Sequence, residues 1–105
     1  MITDLTFLKK FANTPDKIQK YIDLYKESAN ENIDTIKTGI NNADKKVIAR
    51  AAHQLKTQLN YVGAKSLIDL CARLEDDNEA ISFEVAKQLA LELISSIEKT
   101  FEELK

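Results

Sequence analysis

Tryptophan is absent from the 105 residues, and there are only two glycines, one proline, one cysteine and one histidine. Each scarcity closes off a class of protein. So few glycines and prolines leave too few tight turns for a strand-rich fold, so helices are expected. Cys71 has no second cysteine to join, which excludes an intramolecular disulfide and points to a reducing cytoplasm. Its neighbours Leu67, Leu70 and Leu74 predict a buried, inert thiol. One histidine with no cysteine ligand beside it is poor equipment for a metal site, so neither metal nor cofactor is expected. The net charge of -2 lacks the basic excess of a general nucleic-acid binder. No apolar run approaches membrane-spanning length. At the N-terminus, "MITDLTFLKK" places Asp4 early and its lysines after the apolar residues, the reverse of a signal peptide.

What is present is helical periodicity. With 44% hydrophobic and 30% charged residues, the chain has the make-up of one soluble domain spanning 1–105. A short first helix, "TDLTFLKKF", offers Leu5, Leu8 and Phe11 to a core. Thr14 and Pro15 suit the cap and first turn of a second helix. Its apolar residues run through Ile18, Tyr21, Ile22, Tyr25, Ala29, Ile33, Ile36 and Ile40 at three-and-four spacing. "NNAD" breaks that pattern, and Asp44 is placed to cap a third helix with Val47, Ile48, Ala51, Ala52, Leu55, Leu59 and Val62 as its stripe. Gly63 is placed to end it in a left-handed conformation. A fourth helix is expected from about Ala64 to Asp76, with Leu67, Leu70, Cys71 and Leu74 inward. Ser82 caps a fifth, whose stripe is Val85, Ala86, Leu89, Leu93, Ile97, Phe101 and Leu104. Four substantial helices with short connections predict an all-α, antiparallel up-down four-helix bundle with a short N-terminal helix covering one end. One chain supplies the whole core, so a monomer is expected.

The single histidine lies on the third helix, in "ARAAHQLKTQLNYVGA". On a helical wheel Leu55, Leu59, Ala52, Ala51 and Val62 fall within about 60° of Ile48, whereas His53 falls about 140° away. It therefore points outward, as a reactive group or as a bystander. Ala49 and Thr57, one turn to either side, are small enough to let another surface approach. Lys46, Arg50 and Lys56 would attract an anion, although such a basic edge is more often only a solvated face. Folding the third helix back on the fourth around Gly63 brings Glu75 opposite His53. Glu75 then either accepts a hydrogen bond from Nδ1–H, leaving the Nε2 lone pair outward, or is a surface acid paired with Arg73 or Lys56.

Little other chemistry fits. A hydrolytic triad would have to be built around His53, and Ser66 and Cys71 have turn and core roles that explain them better. "TGINNADKK" lacks the second glycine and the Lys-Ser/Thr pair of a P-loop. What remains is histidine as the nucleophile itself, holding a phosphoryl group whose charge Lys56 offsets.

"AAHQLKTQLNYVGAKSL" resembles the signature of the histidine-containing phosphotransfer (HPt) family. His53, Leu55, Lys56, Gly63 and Ala64 match it in register, and Asp44 stands nine residues before the histidine. The resemblance covers most of the chain. It implies a four-helix bundle and an exposed phospho-accepting histidine that exchanges phosphoryl groups with receiver-domain aspartates in two-component phosphorelays. By position His53 is then the acceptor and Lys56 the neutralising cation. Members often carry Gln or Glu twenty-two residues after the histidine, bonded to its ring, and Glu75 has that spacing. Thr57 departs from the usual glycine after the lysine, and "TQLNYVG" is more apolar and aromatic than the family's small-residue run.

The expected function is that of a cytoplasmic phosphocarrier, not a free-standing catalyst. It would accept a phosphoryl group on His53 from a receiver aspartate or a kinase and pass it to another receiver, which supplies Mg²⁺. Expected partners are response-regulator receiver domains and a hybrid or histidine kinase, docking over Lys46, Ala49, Arg50, Thr57 and Asn60. Phe7 either joins that patch or belongs to the core. The alternatives are a non-phosphorylated binding module or scaffold, and the phospho-accepting domain of a histidine kinase. Beginning at Met1 and ending in helix at Lys105, the sequence reads as a free-standing protein.

Overall fold

Five helices and no strand make up the computed structural model, which describes all residues from Met1 to Lys105. They are α1 (Thr6–Lys9), α2 (Pro15–Asn41), α3 (Lys45–Tyr61), α4 (Lys65–Asp76) and α5 (Phe83–Glu103). Local chemistry sets three of the starts. Thr14, Asp44 and Ser82 each accept a hydrogen bond at 3.2 Å, from the backbone N–H of Lys17, Val47 and Val85 respectively. Each cap satisfies an N–H that the helix itself leaves unpaired.

The helices pack around one apolar core, and α3 is central to it, touching α2, α4 and α5. Ile48, Leu55, Leu59, Leu74, Leu93 and Ile97 are all fully buried, and each such side chain contributes roughly 1.5–3 kcal/mol. Within this core the Tyr25 hydroxyl lies 2.7 Å from Thr100 Oγ1. Thr100 donates its own proton to the Ile97 carbonyl at 2.6 Å, so Tyr25 is the donor to Thr100. Burial pushes the Tyr25 hydroxyl up to about 12.

Cys71 is fully buried on α4, and burial lifts its thiol to about 12. Thiolate is the reactive form. Iodoacetamide at pH 8 is therefore expected to modify Cys71 only as fast as the chain unfolds, and promptly in denaturant. Labelling followed by mass spectrometry checks this.

Three expectations need correction. The first helix is a single turn, so the chain bends after Lys9 and Ala12, not Phe11, reaches the core. Phe11 is left 42% exposed. Val85 sits in the first turn of α5, outside the stripe that Ala86 and Leu89 turn inward, and is also exposed. Phe7 is 44% exposed, so the core reading of that ring fails. The rings of Phe7 and Phe11 instead meet Tyr61, at centroid distances of 6.3 and 5.8 Å.

Two polar ties close the ends of the bundle. The Glu103 carboxylate accepts from the backbone N–H groups of Ile2 (3.0 Å) and Thr3 (2.9 Å) and from the Thr3 hydroxyl (2.8 Å). The Asp4 N–H continues this strap by donating to the Val62 carbonyl at 2.8 Å. Elsewhere the Lys45 ammonium donates to the carbonyls of Asn78 (2.9 Å) and Ile81 (2.7 Å), holding the α4–α5 connection against the start of α3.

Candidate functional site

The rotation of α3 is locked by its inner face, where Ile48, Ala51, Ala52, Leu55 and Leu59 are buried to within 2%. The opposite face must then meet solvent, and the His53 side chain is 65% exposed on it. Glu75 arrives from α4, one position past the buried Leu74, so it lies at the boundary between core and water.

Imidazole Nδ1 is 2.6 Å from Glu75 Oε1. An ionised carboxylate can only accept, so Nδ1 carries a proton, and in the neutral ring Nε2 keeps its lone pair. The second carboxylate oxygen is also engaged. Lys56, one turn along α3, places Nζ 2.7 Å from Oε2. That oxygen is shielded from water, and the ammonium is its only partner. Glu75 thus bridges the ring and the lysine. The Lys56 ammonium, and after it the His53 ring, hold the Glu75 carboxyl below the usual carboxylate range, against an opposing effect of partial burial. In return the contact with Glu75 raises Lys56 above the usual lysine range. With the ring neutral, the cluster is charge-balanced and one nitrogen lone pair is turned to solvent.

The remaining residues singled out from the sequence distribute along α3. Lys46, Arg50, Thr57 and Asn60 are exposed, and Ala49 is half-buried. Lys46 and Ala49 share a shallow depression with Glu75, immediately before His53. Asn60 and Phe7 line a separate groove at the far end, beside Gly63 and Lys10. His53, Lys56 and Glu75 come together, therefore, while Asn60 stands about two turns along α3 and Phe7 shares its groove. Arg73 forms no ion pair with Glu75. No three His, Cys, Asp or Glu side chains gather as a metal-binding group, and no helix is long and apolar enough to cross a membrane.

Sequence reasoning overlooked an aromatic strip. Phe7, Phe11, Tyr21 and Tyr61 contact one another at centroid distances of 5.3–6.3 Å. The unusual aromatic character of "TQLNYVG" was the available signal, since Tyr61 lies at the centre of the strip.

A search of curated proteins and a search of solved structures each returned no match. The model of one protein family, described as the Hpt domain, matches residues 20–103. That span takes in α3, α4 and the whole His53–Lys56–Glu75 cluster, and the chain belongs to the Hpt domain family, the histidine-containing phosphotransfer domains of two-component signalling.

Proposed function

We propose that this chain is a phosphocarrier that takes a phosphoryl group onto Nε2 of His53 from the aspartyl phosphate of a receiver domain and hands it to the aspartate of another. The observation that carries this reading is the 2.6 Å contact between Nδ1 and Glu75, which favours the neutral tautomer whose Nε2 lone pair faces outward on an open helix face. In the forward step the Nε2 lone pair forms the N–P bond as the P–O bond to the aspartate breaks, and the aspartate leaves as carboxylate. The phosphorylated ring keeps its Nδ1 proton, and Glu75 balances the positive charge this creates. Lys56 turns from Oε2 towards the phosphoryl oxygens and offsets their charge. The same steps in reverse deliver the group to the second receiver. Mg²⁺ is held by the receiver, and the chain needs no resident metal.

The proposal includes a cytoplasmic monomer whose four longer helices form an antiparallel up-down bundle. The Tyr25–Thr100 bond supports that topology, because it joins the first half of α2 to the last turns of α5. A histidine kinase is the second donor to consider, since a carboxylate on Nδ1 also suits attack on ATP. Incubation with receivers charged by acetyl phosphate tests the proposal. The expected label is acid-labile and alkali-stable, and is absent from His53→Gln. Label that persists in that variant refutes the assignment, and label obtained only from a kinase and ATP selects the kinase-acceptor reading.

A further inference from the structure

Three of the six large apolar side chains most open to solvent lie in one region. Phe7 and Phe11 belong to the aromatic strip, and Leu24, 48% exposed on α2, extends it through the groove it shares with Tyr21 and Tyr61. The result is a continuous apolar band, Leu24–Tyr21–Tyr61–Phe11–Phe7, crossing α2, α3 and α1. Exposed bands of this kind, rimmed by polar groups, mark interaction surfaces, and Tyr and Phe are the residues that anchor them.

Around Leu24 the rim is mainly acidic. Glu27 and Glu31 line the groove with Leu24, Tyr21 and Tyr61. Asp16, Asp23 and Glu27 surround Leu24 on its other side, with Lys20 the only cation there. Beside His53 the charges are mixed: Lys46 and Arg50 are exposed on α3, and Glu75, Asp76 and Glu79 share the depression with Lys46. His53 and Tyr61 are eight residues apart on one helix, about 12 Å along its axis. A specific interface of ordinary size covers about 800 Å² on each partner, a patch roughly 30 Å across. A domain that reaches His53 with its phosphorylated aspartate is therefore large enough to reach Tyr61 and the groove beside it as well.

We infer that the Leu24–Tyr21–Tyr61 band with the Glu27–Glu31 rim is the partner-selecting part of the docking face. It accepts receivers that present an apolar patch flanked by lysine or arginine, and it rests on the phosphocarrier reading above. A second copy of this chain is a poor occupant. Two-fold pairing through this band would set the acidic rim of one copy against the acidic rim of the other.

Transfer kinetics from a panel of acetyl-phosphate-charged receivers, encoded in the same genome, provide the test. Leu24→Ala and the double variant Glu27→Lys/Glu31→Lys change exposed side chains only, and both are expected to keep native circular dichroism. For receivers that transfer to the unaltered chain, each is expected to raise KM about tenfold with kcat unchanged. Added salt should raise KM for the unaltered chain but not for the double variant. Leu91→Ala, which removes an equally exposed leucine (49%) from α5, is expected to change nothing. Transfer with KM unaltered in both variants overturns the docking band and leaves the phosphocarrier reading standing. Failure of every receiver to transfer overturns both. Concentration-dependent self-association abolished by Leu24→Ala, seen by sedimentation, also overturns the band as a receiver site.

Discussion

Replacing Glu75 with alanine is expected to slow phosphoryl transfer to His53 by on the order of 10²-fold while leaving the helices intact. Three losses combine. Without an acceptor at Nδ1 the ring proton distributes over both nitrogens, so part of the population has no lone pair at Nε2. The phosphorylated ring loses the carboxylate that balances its charge. Lys56 loses the partner that holds its ammonium one turn from the ring. Glu75→Gln keeps an oxygen acceptor and is expected to recover most of the rate. Nitrogen-15 NMR of the imidazole distinguishes positioning from mere packing: Nδ1–H should predominate in the unaltered chain and in Glu75→Gln but not in Glu75→Ala. An unchanged tautomer and rate in Glu75→Ala would remove Glu75 from the mechanism.

The same carboxylate carries a pH signature. Its folded value lies below the ordinary 4.5, so between the two values the unfolded chain binds more protons than the folded one. The stability contributed by Glu75 is therefore complete above about pH 4.5 and is lost as the pH falls through the lower, folded value. Urea unfolding at a series of acidic pH values should show this loss in the unaltered chain and a shallower one in Glu75→Gln.

Gly63→Ala is the substitution expected to cost most stability, about 2–4 kcal/mol. Gly63 has φ +66°, a left-handed conformation that an L side chain resists. A Cβ added there would collide with the Asp4 carbonyl oxygen, a backbone atom that cannot rotate aside. The N-terminal strap would have to lift, breaking the Asp4–Val62 hydrogen bond and releasing the turn that carries Phe7. For a domain of this size the loss corresponds to a Tm lower by roughly 10–20 °C. Calorimetry measures it, and a fall of less than about 3 °C would show that the strap yields freely.

Features set by neighbours in the chain were legible. The caps Thr14, Asp44 and Ser82, the left-handed Gly63 and the outward direction of His53 all follow from spacing within a turn or two. Phe11 and Val85 were misread because periodicity assigns a face without saying whether another helix covers it. Phe11 lies beyond the end of a one-turn helix, and Val85 projects from the first turn of α5. Glu75 shows a different limit. Spacing offers it to His53 or to Lys56 as rivals, whereas the carboxylate's two oxygens take one each. Glu103 with Thr3 was beyond reach, because nothing local links side chains a hundred positions apart.

That last pairing has a topological consequence. Since Glu103 grips the backbone of Ile2 and Thr3, the chain enters and leaves the bundle at neighbouring points. A short flexible tether from Lys105 to Met1 should permit circular permutation, with new ends opened between the exposed Glu79 and Ala80, so that the Asn78 and Ile81 carbonyls stay on Lys45. By the same geometry the bundle can be spliced into a loop of a host protein without prying the host apart.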